Sequence, residues 1–209
     1  MDILEEFYNS KLPTSEPLGY VYKSGNCVLL SAPHAVSQIR NGKEKFAEVE
    51  TYNLIDVVSR LTGASMIAKT RNLGDDANFD MYSTYRDKIA EKIKSKKIRY
   101  ILDIHNLNLK RGQTINLGTN HGFNVCGNFT LLDRIEKIFT NHNLETTTDY
   151  PFYAGDHTIS GYFSKEYNIF CLQIEINSKL YQTEKDVKNL AETLVDIVKA
   201  VVAYDKVVS

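Results

Sequence analysis

IFCLQIEI, residues 169–176, is an apolar run interrupted only by Gln173 and Glu175. Apolar side chains occupy both alternate positions, so both faces of such a strand are covered, as in a parallel sheet with helices above and below. Four further stretches are strand-like: NCVLLSA (26–32), ASMIAK (64–69), RYILDIH (99–105) and FNVCG (123–127). Helical patterns alternate with them. Residues 45–62 place Phe46, Val49, Leu54, Val57, Val58 and Leu61 near helical spacing and stop at Gly63. A second helix is expected over about residues 80–96. A third is expected from Thr130, with Asp133 three residues on. The last opens at Thr183 and Asp186 and runs a stripe from Val187 through Leu190, Leu194 and Val198 to Val201. Alternation of this kind predicts an α/β fold: a largely parallel, mixed sheet flanked by helices. Residues 70–80 and 106–122 read as long irregular loops, which in compact domains often carry function.

Size and composition narrow the function classes. A chain of 209 residues fits a single domain. Hydrophobic residues make up 43% and charged residues 24%, and no apolar run approaches the roughly 20 residues of a membrane span. The amphipathic start MDILEEFYNSKLP lacks the basic and apolar regions of a secretory signal, so a cytoplasmic location is expected. Cys27, Cys126 and Cys171 are odd in number and far apart, which predicts structural thiols rather than disulfides or a thiolate metal cluster. Net charge is -1, and the one basic cluster, KIKSKK (92–97), has no interleaved aromatics, so no nucleic-acid partner is expected. No glycine pattern suits a phosphate loop, and Ser31 lacks a nucleophile elbow.

Polar residues gather where three of the expected strands end. The first runs into Pro33 and His34, the third finishes in Asp103 and His105, and the fifth carries Gln173, Glu175 and Asn177. Side chains alternate along a strand, so Asp103 and His105 share a face, as do Gln173, Glu175 and Asn177. Ligands of open α/β sheets bind outside the carboxyl ends of the strands. Two histidines and a carboxylate there suggest a metal site with a base beside it. Catalytic zinc takes imidazole and carboxylate ligands and a separate base. Glu44, Glu48 and Glu50 all offer the third ligand, and pattern does not choose among them. Glu175, in the middle of an apolar strand, is costly to bury unless it is paired or functional. His121, His142 and His157 carry less weight, and His142 is expected to end a helix.

The segments SAPHAVSQIRNGKEKFAEVET, YILDIHN and LQIEIN, in that order, resemble the N-formylglutamate amidohydrolase family. The resemblance runs from Val28 to the final helix and implies the zinc carboxypeptidase type of α/β hydrolase fold, sometimes called phosphorylase/hydrolase-like. It further implies Zn2+ held by His34, Glu48 and His105, with Glu175 as the base. Glu48 follows His34 by fourteen residues, where carboxypeptidases have a short spacing, and Glu44 and Glu50 stand as alternatives. Asp103 is expected to orient a metal-binding imidazole. Arg40 and Arg111 are the preferred anchors for a substrate carboxylate. The resulting expectation is a zinc-dependent amidohydrolase acting on a small acidic amide, an N-acyl amino acid or a γ-glutamyl or peptide bond. The alternative is a non-catalytic module that binds a metal or an acidic ligand on the same fold.

Overall fold

The computed structural model describes residues 2–95 and 97–208. Its main sheet has seven strands: β1 (Tyr20–Lys23), β2 (Val28–Ala32), β5 (Ser65–Lys69), β6 (Tyr100–Leu107), β7 (Ile115–Gly118), β8 (Thr146–Thr148) and β9 (Phe170–Asn177). Their spatial order is β1-β5-β2-β6-β9-β7-β8. The central four, β5, β2, β6 and β9, are mutually parallel, whereas β1 and β7 run antiparallel to their inner neighbours. A separate hairpin joins β3 (Gln38–Arg40) and β4 (Lys43–Lys45).

Each central strand is buried along its whole length, apart from half-buried Asn106 in β6, which is the physical counterpart of its near-continuous hydrophobicity. One face of the sheet is covered by α1 (Ile3–Asn9), α2 (Val49–Thr62), α4 (Phe129–Asn141) and α6 (Glu184–Val208). The other is covered by α3 (Thr84–Lys94) and α5 (Ile159–Tyr167). Gly63 ends α2 in the left-handed conformation (φ 68°), its N–H reaching the Ser59 carbonyl at 2.8 Å. The Thr183 hydroxyl caps α6 by accepting from the Asp186 N–H at 3.1 Å. His142 caps the end of α4, as expected. Among the described residues no helix is long and apolar enough to cross a membrane.

Several expectations are corrected. FNVCG is not a strand: Phe123–Val125 form a 3-10 turn, and Cys126 (φ 48°) and Gly127 (φ 78°) are left-handed, which no sheet ladder accepts. The helix expected from residue 45 starts at Val49, and Phe46 is 95% exposed, because residues 43–45 belong to the hairpin. Part of the loop expected over 106–122 is the buried strand β7. The helix expected from Thr130 begins one residue earlier, after Asn128. Cys171 is buried while Cys27 and Cys126 are half-buried, and burial raises the pKa of all three thiols, so none is an activated thiolate.

Helix α1 is held to α2 by a buried acid. Asp56 accepts from Ser10 Oγ at 3.0 Å and pairs with Lys23 and Arg60. Burial opposes its charge, but Arg60, Lys23 and Ser10 outweigh burial and keep its pKa below the ordinary 3.8. A carboxyl with a depressed folded pKa adds stability above its unfolded value and gives it up as pH falls through the folded one. Asp56→Asn is therefore expected to lose about 2 kcal/mol at neutral pH. Urea denaturation should show that difference shrinking below about pH 4; an equal difference near pH 7 and pH 3 would contradict the assignment.

Candidate active site

Strands β2, β6 and β9 end side by side, and the polar residues lie at those ends. His105 on β6 stands in register with Glu175 on β9. Strand β2 stops at Ala32, and Pro33, with no N–H for the ladder, lets the chain turn and carry His34 above β6. The His34 carbonyl then accepts the Glu48 N–H at 2.8 Å, closing the loop that contains the β3–β4 hairpin. That closure explains the fourteen-residue spacing: a hairpin is inserted between two residues that meet in space.

Of the three candidate glutamates, Glu48 is the one that lies with the histidines. It sits at the start of α2, where the helix dipole favours a carboxylate. Its Oε1 is 3.1 Å from His34 Nδ1, and its Oε2 is 3.7 Å from His105 Nδ1 and accepts the Asn106 backbone N–H at 2.8 Å. Glu44 is exposed on the hairpin, and Glu50 is exposed and bonded to the Asn106 side chain at 3.2 Å. The two Nδ1 atoms are 3.1 Å apart, and His34, Glu48 and His105 each offer a ligand atom, all within 4.8 Å of one another.

The outer nitrogens of both rings face carboxylates. His105 Nε2 is 3.0 Å from Asp103 Oδ2, the partner expected from strand alternation. His34 Nε2 is 2.9 Å from Asp76 Oδ1, a residue that sequence reasoning missed. Asp76 is fully buried in the irregular 70–80 loop, where length was the only signal. Its second oxygen accepts from Arg40 Nε at 2.7 Å. With a proton on each outer nitrogen, facing its carboxylate, both neutral rings turn an Nδ1 lone pair inward. Two lone pairs and a carboxylate then face one another, an arrangement satisfied by a cation or by an added proton. The same demand appears in the titration of His34. Burial pulls its pKa down, but Glu48 and Asp76 overcome burial and raise it to about 10.

The other expected residues surround the same cleft, which has a volume of about 510 Å³. Glu175 lines it, accepting from Gln173 Nε2 at 3.0 Å, and burial raises its pKa from 4.5 to about 7. Arg40 lines it too but is engaged with Asp76 and lies over the Phe79 ring at 5.0 Å. Arg111 lies over the Phe152 ring at 5.0 Å and, among the described residues, makes no ion pair. Asn177, on the face of β9 expected from alternation, sets the loop bearing Arg111: its Nδ2 donates to the carbonyls of Arg111 (3.0 Å) and Gln113 (2.8 Å). Gly118 lets the wall at Ala154 close on β9, since a Cβ there would sit 2.8 Å from the Ala154 Cβ. His157 is on the lining, whereas His121 is exposed beside Tyr153 and His142 is bound to Asn189 and Asp196.

No protein-family model and no curated protein matches the chain. Solved structures do. An N-formylglutamate amidohydrolase from Ralstonia eutropha JMP134 superposes with a TM-score of 0.60 at 11% identity, over 90% of this chain and 98% of that one. A bacteriophage poly-gamma-glutamate hydrolase gives 0.53 at 15% identity, over 92% and 93%. A metallo-carboxypeptidase from Burkholderia cenocepacia gives 0.56 at 12% identity, over 97% and 68%. The likeness is one of fold, a carboxypeptidase-like hydrolase fold, and it agrees with the family resemblance seen in the motifs. Fold alone does not fix activity, which is argued from the site.

Asn177→Ala removes both bonds to the 111–113 loop and the acceptor for the Lys179 N–H. It is expected to cost about 2 kcal/mol of stability and to open residues 108–113 to protease. Denaturation together with mapping of the first proteolytic cut checks both; an uncut loop would show that Asn177 does not hold it.

Proposed function

We propose that the protein is a zinc-dependent amidohydrolase that cleaves an amide bond of a small acidic substrate. The observation that carries this reading is the convergence of His34 Nδ1, His105 Nδ1 and the Glu48 carboxylate beside buried Glu175 on the floor of one cleft. The donor set fits zinc. Donors about 2.0–2.1 Å from a tetrahedral ion lie about 3.3 Å from one another, close to the 3.1 Å found for the two nitrogens and for the His34–Glu48 pair. Imidazole and carboxylate are the ligand types of catalytic zinc, and Asp76 and Asp103 supply the outer partners that fix both rings. Zinc, when bound, polarises the amide carbonyl and makes water a better nucleophile near neutral pH.

The remaining steps belong to the chain. Glu175, with a pKa near neutrality, takes the proton of the attacking water and passes it to the leaving amine nitrogen. Gln173 holds one oxygen of that carboxylate in place. Arg111 pairs with a substrate carboxylate at the cleft wall, and Arg40, tied to Asp76, adds positive charge beside it. Phe46 and Phe152 line the same cleft and cover the apolar part of the substrate. Glutamate amides head the substrate panel, because two of the solved structures sharing this fold are named as hydrolases of N-formylglutamate and poly-gamma-glutamate.

Elemental analysis is expected to find about one zinc per chain, lost in a His34→Ala, His105→Ala double variant. With N-acyl glutamates and γ-glutamyl peptides, Glu175→Gln should keep the metal and lose about 100-fold or more of turnover. Absence of zinc after incubation with the metal overturns the site. Undiminished turnover in Glu175→Gln overturns the role of the base.

A further inference from the structure

Behind His105, away from the cleft, a row of polar groups crosses the sheet. Ile67, Ser31 and Asp103 are register partners on β5, β2 and β6. On the same face Leu29, Ile67 and Ile101 pack into the core cluster that α3 and α5 cover. Ser31 and Asp103 are fully buried, and Tyr85, from α3, is 1% exposed. Buried polar groups of this kind persist when their bonds are complete.

The bonds form one line. His105 Nε2 is 3.0 Å from Asp103 Oδ2, and Ser31 Oγ donates to Asp103 Oδ1 at 2.7 Å. The Tyr85 hydroxyl lies 3.0 Å from Ser31 Oγ and 2.9 Å from the Ile67 carbonyl. Ser31 has one proton, and the carboxylate is the strongest acceptor within its reach. Once that proton is given to Asp103, the Ser31 oxygen can only accept, and the one proton of Tyr85, donated to the Ile67 carbonyl, is shared with it. The directed link is therefore Ser31 to an anionic Asp103, which takes its second bond from the Nε2–H of His105, while Tyr85 braces the Ser31 oxygen from behind.

We infer that Ser31 and Tyr85 are positioning residues for His105: through Asp103 they hold the ring in the tautomer that presents Nδ1 to the cleft. The inference rests on the reading of His105 as a metal ligand. Without the Ser31 hydroxyl, Asp103 loses a donor and can rotate, and the ring loses its fixed partner. Outer groups of this type are typically worth 10- to 100-fold in metal affinity.

The test is zinc affinity by chelator competition on the full chain, with thermal unfolding of the metal-free protein in parallel. Ser31→Ala and Tyr85→Phe each remove only an oxygen from a buried side chain, so both are expected to fold. Ser31→Ala should weaken zinc binding about 10-fold, and Tyr85→Phe should weaken it less. The double variant should bind no more weakly than Ser31→Ala alone, because Tyr85 acts through Ser31. Lower thermal stability with unchanged zinc affinity would reduce the row to core packing and overturn the inference. If wild type binds zinc and His105→Ala does not, such a result counts against the row alone and leaves the metal site standing. If wild type itself binds none, the metal reading fails first, and the inference goes with it.

Discussion

Two imidazole nitrogens 3.1 Å apart, with a carboxylate oxygen equally close to one of them, form a buried group that, when the outer nitrogens hold the ring protons, consists of acceptors alone. This is the constraint around which the site is arranged. Each ring is fixed from behind by an acid, so neither can turn its lone pair away. The pocket accordingly favours positive charge at its centre, and in the absence of a metal that charge is a proton held on His34 well above its ordinary pKa. This is the arrangement that the proposed metal site requires.

The fold supplies that arrangement through strand register together with loop closures at the strand ends. His105 and Glu175 are paired across β6 and β9, so their separation is set by the sheet ladder. β2 ends beside them, and a proline releases the chain at that point. His34, just past the end of β2, and Glu48 and Asp76 come from outside the main sheet, and the two acids are anchored by backbone groups: Glu48 by the Asn106 N–H and the His34 carbonyl, Asp76 by the Asn78 N–H. Asp76 also shares its carboxylate between His34 and Arg40, so the orientation of the ring and the charge on the cleft wall depend on one side chain.

The parts of this structure that were legible in the sequence are those governed by burial. The four central strands read clearly because both of their faces are covered, and His34, Asp103, His105 and Glu175 stood out as polar residues at or near the ends of such runs. Strands β1, β7 and β8 are three or four residues long, and β1 and β8 are rich in tyrosine or threonine, so periodicity says little about them. FNVCG is misleading because its apolar residues belong to a tight turn that buries Val125, leaves Phe123 exposed and passes through left-handed Cys126 and Gly127. The choice among Glu44, Glu48 and Glu50 depends on an inserted hairpin whose exposed side chains carry no burial signal. Asp76 is buried by tertiary closure of its loop over His34, which no local pattern records.

The two glutamates of the cleft illustrate how environment, rather than residue type, separates roles. Burial opposes the charge of both. For Glu48 that cost is outweighed by His34 and by further bonds, and its pKa falls. For Glu175 burial prevails: the nearby histidines lower its pKa only partly, Glu48 adds to the rise, and the carboxyl comes to about 7. Ionising one thus helps to hold the proton near the other. A carboxylate that stays charged suits a ligand, and one poised near neutrality suits a proton carrier. The divergence of the two pKa values is what the proposed division between metal ligand and base requires, and it arises from one pocket that places an imidazole against the first acid and mostly apolar strand and an amide against the second.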